Sequence, residues 1–127
     1  MLIRAMTGKD IPELLKMLSL EDEHDGSYLT SANTFIFEDE EGMMGFYTIK
    51  IEHDVPVLVH FIVKRERRSV ELTRLLIKEL RKRIKSMGFS TGIIAVKKDY
   101  LKRYVEYYAK RKPYAERYGV SFYLMEA

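Results

Sequence analysis

The sequence predicts an α/β (α+β) fold: a mixed sheet with an antiparallel meander in the first half and a parallel pair joined through a long helix. Three stretches carry that expectation. Thr34–Glu38 and Met43–Glu52 are strand-like runs separated by Asp39-Glu40-Glu41-Gly42, a hairpin turn with the glycine that a positive φ favours. Val57 to Val63 is β-branched and aromatic with one polar interruption, His60, the pattern of a strand covered on both faces. The amphipathic segment Ser69 to Met87 then leads to another apolar run, Phe89 to Val96. A strand reached through such a helix lies parallel to the strand before it.

Taken in order, Met1 to Met6 alternates loosely and predicts a short first strand. Thr7 and Asp10 resemble the start of a capping box, and Pro12 is tolerated in a first turn. Ile11, Leu14, Leu15 and Leu18 supply the apolar face of that helix. Leu20 to Asn33 reads as a loop, in which His24 stands among Glu21, Asp22, Glu23 and Asp25; such a cluster is a hydrated loop more often than a metal site, and no metal is expected. His53-Asp54-Val55-Pro56 turns the chain into the fourth strand. Ser69 is the N-cap of the central helix, Glu71 suits its positive end, and Leu72, Leu75, Leu76, Leu80, Ile84 and Met87 form its stripe. Lys85 and Gly88 mark its stop. Asp99 caps a last helix from Tyr100 to about Lys112, before Pro113. Tyr114–Tyr118 and Val120–Met125 are closing strands, and a hydrophobic edge made by SFYLM would favour a homodimer.

At 127 residues, the chain is expected to form a single domain, residues 1–127, with one core. Zero cysteines exclude disulfides, thiolate metal sites and a cysteine nucleophile, and a reducing cytoplasm is the expected location. No apolar run approaches the roughly 20 residues of a membrane span, and MLIRAM followed by Lys9 and Asp10 does not read as a signal peptide. No membrane partner is expected.

The net charge of +3 hides a segregation. Between Glu21 and Asp54 the acids face a single base, Lys50, whereas Lys64, Arg65, Arg67 and Arg68 crowd the turn before the central helix. The first amides of a helix lack internal partners, so an arginine-rich turn leading into one is a physically sensible anion site. The alternative is a solvated basic surface. Nucleic-acid binding through the basic helix Ser69–Met87 is a further reading, but no recognisable DNA- or RNA-binding motif accompanies that charge.

The order of elements resembles the GNAT superfamily of N-acetyltransferases, and nearly the whole chain fits. IRAMTGKDIPELLKML looks like the family's opening strand and helix, FEDEEGMMGFYTIK like its second hairpin, and HFIVKRERRSVELTRLLIKEL stands where the family carries its acetyl-CoA motif. The resemblance implies that the backbone of Phe61, Ile62 and Val63 pairs with pantetheine, and that the amides around Arg68, Ser69, Val70, Glu71, Leu72 and Thr73 hold the pyrophosphate. Arg68 matches the motif, while Glu71 stands at its glycine and Thr73 at its Gly/Ala position.

Acetyl transfer also needs a base for the amine and an acid for the leaving thiolate. VEYYAKRKPY looks like the family stretch that supplies the acid, which implies Tyr108. Val57 stands where relatives carry glutamate, leaving His60, or Glu52 and His53, as the base. A core role competes for both His60 and Tyr108. The resemblance therefore implies an acetyl-CoA-dependent transferase acting on a primary amine, small molecule or peptide, drawn by the acidic segment. A GNAT-like module that has lost catalysis and binds a protein partner is the alternative.

Overall fold

The computed structural model describes residues 1–21, 23, 26–96, 102, 105, 106, 113 and 115–126. Its elements are β1 (Leu2–Ala5), α1 (Ile11–Leu20), β2 (Thr34–Asp39), β3 (Gly42–Glu52), β4 (Val55–Val63), α2 (Val70–Ser86), β5 (Thr91–Val96), β6 (Ala115–Arg117) and β7 (Val120–Glu126). The strands form a mixed sheet in the order β1-β2-β3-β4-β5-β7-β6. Strands β2 and β3 pair antiparallel across the Gly42 turn and β5 is parallel to β4, as the turn and the crossover predict, while β1 pairs antiparallel with β2. The chain forms two compact units: Met1–Lys50 with Val59–Arg67, and Ile51–Leu58 with Arg68–Ala127.

In the first unit, α1 buries Leu14, Met17 and Leu18 in a core with Met6, Ile36, Phe46 and Ile62. Leu15, expected on that face, is 45% exposed, and Met17 takes its place. Both sets, 11-14-15-18 and 14-17-18, keep the three- and four-residue spacing of one helix face, and packing against the sheet selects the second. A buried hydrogen bond of 3.1 Å joins the hydroxyls of Thr34 and Thr48 across β2 and β3. The entry to α1 is tied to the sheet by Arg4, which donates to Asp10 at 2.9 and 3.0 Å and to Glu38 at 2.9 Å. Asp10 also accepts the Thr7 amide at 2.7 Å, the bond that the capping-box spacing predicts.

In the second unit, α2 buries Thr73, Leu76, Ile77, Leu80 and Ile84. The stripe is thus rotated from the expected one: Leu75 is 43% and Met87 38% exposed, and Ile77 lies inside. Leu72 and Leu75 lie beside the stripe on one side, so apolar spacing alone leaves its rotation open. Gly92 of β5 marks a close approach to α2, since a Cβ there would lie 2.8 Å from Ile84 Cδ1. Strand β7 pairs with β5 on one side and β6 on the other. Within SFYLM, Ser121 and Phe122 pair with Glu116 and Ala115 of the short outer strand β6, on which Glu116 and Arg117 are exposed, while Leu124 is 39% exposed. Of the expected last helix, Lys102, Val105 and Glu106 are helical, and the rest lies outside the described residues, as does His24. Tyr123 is buried and donates to Glu106 at 3.2 Å. Burial, then the Glu106 carboxylate, pushes its phenol up to about 12, so it keeps its proton at neutral pH.

The Arg4 hydrogen bonds, assisted by the Thr7 amide and opposed by burial, hold the Asp10 carboxyl at about 2, below its ordinary 3.8. A depressed folded-state value stabilises the protein above the ordinary value and is lost as pH falls through the lower one. Stability should therefore decline as pH drops from about 4 towards 2, and Asp10→Asn should flatten that part of the acid limb in urea unfolding measured against pH. An unchanged acid limb in the variant would exclude Asp10 as its source.

Candidate active site

The chemistry-bearing stretch starts in β4. Leu58, His60 and Ile62 are buried and alternate with half-buried Val57, Val59 and Phe61, as a pleated strand dictates. The alternation breaks at the end, where Ile62 and Val63 are both buried at 4% and 2% exposure. A bulge in the neighbouring strand accompanies this break. Phe37 pairs with Gly45 and Glu38 with Met43, leaving Met44 as the extra residue, and the Met44 carbonyl accepts the Lys64 amide at 2.8 Å. Gly45 is required here: a Cβ would lie 2.1 Å from the Ile62 carbonyl oxygen and 2.6 Å from Phe37 Cε2.

The parallel ladder with β5 pairs Val57 with Ile93 and Leu58 with Ile94. Ala95 and Val96 extend β5 in partnership with Phe122 and Ser121 of β7.

His60 is 6% exposed. Its ring lies 6.2 Å from that of Tyr28 and 6.1 Å from that of Phe46, both tilted, and Lys50 Nζ stands 4.7 Å above the Tyr28 ring. Tyr28 has no chemical signature in the sequence; it enters the cluster through the loop after α1.

The basic turn is tied to acids within the first unit. Lys64 pairs with Glu13 of α1 at 2.6 Å, Arg65 with Glu21 at 3.4 Å, and Arg67 with Asp39 and Glu41 of the hairpin. These partners are 26 to 51 residues away in sequence, so no local spacing announces them. Beneath the first two pairs lies a cleft of about 220 Å³, lined by Met17, Leu20, Ile62 and Val63 with charges at its mouth.

The start of α2 belongs to the second unit. Ser69 caps it as expected, its Oγ accepting the Leu72 amide at 3.1 Å, and its carbonyl accepts the Thr73 amide at 3.1 Å. The amides before these stand outside the helix's own ladder. Thr73 is 5% exposed and its hydroxyl donates back to the Ser69 carbonyl at 2.9 Å, so the side chain is turned inward; Glu71 is exposed. Arg68 is half-buried at the entry to the helix.

No protein-family model matches the sequence, and no curated protein matches it. Solved structures do. The chain is similar to the PaiA N-acetyltransferase of Thermoplasma acidophilum in complex with coenzyme A, with a TM-score of 0.72 at 13% identity over 99% of this chain and 98% of that one. It is similar to a GNAT-family acetyltransferase of Listeria monocytogenes, with a TM-score of 0.70 at 16% identity over 99% and 94% of the two chains. N-acetylglutamate synthase of Neisseria gonorrhoeae, complexed with coenzyme A and N-acetyl-glutamate, gives a TM-score of 0.75 at 14% identity over 98% of this chain and 34% of that one. The chain has the GNAT fold.

Against the GNAT resemblance, the structure places the residues named from sequence as follows. His60, Phe61, Ile62 and Val63 lie in the first unit, on consecutive positions of β4; Arg68 to Thr73 lie in the second, at the head of α2. Glu52 is exposed at the end of β3. Tyr108 lies outside the described residues. Glu13, Met17, Tyr28 and Gly45 are additions that sequence reading missed. Only Met17 had a local signal, three residues after Leu14 on the helix.

Gly45→Ala should destabilise the protein by about 1–3 kcal/mol through overpacking against the Ile62 carbonyl and Phe37. Denaturant unfolding measures this, and a cost within a few tenths of a kcal/mol would show that β3 and β4 separate without strain.

Proposed function

We propose that the protein transfers an acetyl group from acetyl-CoA to a primary amine. The observation that carries this reading is the GNAT fold, shared with an N-acetyltransferase solved with coenzyme A, together with a capped helix that opens at Val70 just after Arg68. By the GNAT resemblance, an extended pantetheine would add to the backbone of Phe61–Val63 through main-chain hydrogen bonds.

The residues present fit coenzyme A. A helix of 17 residues opens at Val70 with Arg68 ahead of it, which is the donor chemistry a pyrophosphate needs. The inward turn of Thr73 and the exposure of Glu71 keep the two larger residues of the motif from burying that first turn. Bound acetyl-CoA would supply a thioester carbonyl open to attack by a neutral amine. In this reading the backbone of Phe61, Ile62 and Val63 holds pantetheine, and Arg68 with Ser69, Val70, Glu71, Leu72 and Thr73 holds the phosphates. His60, next to the pantetheine segment, takes the ammonium proton; Glu52 is the second candidate. Tyr108 returns a proton to the leaving sulfur. The acidic residues after α1 favour a cationic acceptor. The absence of cysteine accords with a cytoplasmic location, and among the described residues no helix is long and apolar enough to cross a membrane.

Calorimetric titration with acetyl-CoA, with free CoA as comparison, should show micromolar binding, and Tyr108→Phe should lower turnover with little change in coenzyme affinity. Absence of heat and of thermal stabilisation with either ligand would overturn the reading; equal turnover in the variant would remove Tyr108 from the mechanism.

A further inference from the structure

The cleft between α1 and the end of β4 lies wholly within the first unit and encloses about 220 Å³. Its floor is apolar: Met17, Leu20, Ile62 and Val63. Of the two ion pairs at its mouth, that of Glu21 is unequal. The Glu21 side chain is 8% exposed, whereas that of Arg65 is 69% exposed, and they meet at 3.4 Å. Charge-assisted hydrogen bonds are normally about 2.7–2.9 Å, so the guanidinium is held loosely. The same guanidinium donates to the Leu20 carbonyl at 3.2 Å. That carbonyl belongs to the C-terminal end of α1, whose last turn carries no basic residue. A buried carboxylate beside the negative end of a helix calls for a cation. One cation that meets it is Arg65, solvent-exposed on a flexible stem.

The geometry points to this cleft as a binding site for a primary amine with a compact apolar body. The ammonium replaces the Arg65 guanidinium against the Glu21 carboxylate and the Leu20 carbonyl, and the body lies over Met17, Ile62 and Val63. Of the other charged residues lining the cleft, Lys64 is neutralised by Glu13 at 2.6 Å, and Lys16 is balanced in number by Glu66. Displacing Arg65 costs little, since its own side chain is 69% exposed, the freed guanidinium is hydrated, and the ammonium takes its place against the carboxylate. Arg65 is then a competitor that the ligand must move, and the floor selects for apolar bulk behind the ammonium. Naming this amine as the acetyl acceptor rests on the acetyl-transfer reading above; the site itself does not.

The test uses isoamylamine, with isoamyl alcohol as its uncharged counterpart, titrated into the full chain with and without saturating CoA while the methyl resonances of Met17 and Ile62 are followed. The amine should shift both methyls and bind about tenfold or more tighter than the alcohol. Arg65→Ala should strengthen amine binding by about two- to fivefold, and Glu21→Gln should abolish the preference for the amine. Equal binding of amine and alcohol by the unaltered protein, or no effect of Arg65→Ala, would overturn the inference. The two readings separate in the same preparations: amine binding without any CoA binding would overturn acetyl transfer and leave the cleft standing, and CoA binding without amine binding would do the reverse.

Discussion

The contact on which the candidate site depends is the approach of Gly45 to the Ile62 carbonyl. The missing Cβ lets β3 lie against the last residues of β4 at a distance that any side chain would forbid. The bulge at Met44 aims its carbonyl at the Lys64 amide, which anchors the chain as it leaves the strand. Ile62, fixed in this way, joins Leu14, Met17 and Leu18 of α1 in one core. The floor of the cleft and the strand proposed to receive pantetheine are both consequences of that packing. Because β4 interiors are close-packed, a change at Gly45 cannot be absorbed locally.

Charge placement is the second organising feature. The cluster Lys64, Arg65, Arg67 and Arg68 suggests a phosphate site when read along the chain, yet three of these side chains are held by Glu13, Glu21, Asp39 and Glu41. The acidic and basic segments of the sequence therefore meet in part within the first unit, tying the turn to α1 and to the β2–β3 hairpin. What the turn contributes to a coenzyme is then backbone and the head of α2 more than a pool of arginines. Exposed pairs of this kind contribute little to stability. Their effect is positional: they set where the turn lies and which carboxylates are occupied.

Much of the fold is legible because its signals are local. The hairpin at Gly42, the Ser69 cap, the Thr7–Asp10 box and the crossover into β5 each rest on residues close in sequence. The rotation of α1 and α2 was not legible. Leu15 and Leu75 are apolar and sit beside the buried stripes, and only the surface against which a helix packs decides which flank is covered. The partner of SFYLM was not legible for a related reason: β6, which pairs with Val120–Phe122 of β7, is three residues long, and nothing local in it announces that pairing. Within the site, His60 and Phe61–Val63 could be named from the strand pattern and the resemblance, whereas Glu13, Tyr28 and Gly45 could not.

Local chemistry was thus enough to determine the order of strands and helices, the caps and turns between them, and the resemblance to a GNAT fold. Those features depend on backbone preferences and on apolar periodicity, which act over a few residues. The tertiary structure alone decided that the basic turn is paired, that Glu21 is buried behind an exposed Arg65, and that an apolar cleft lies beneath them. Those arrangements join residues as many as 51 positions apart, and their energies depend on burial and distance, neither of which a linear pattern contains.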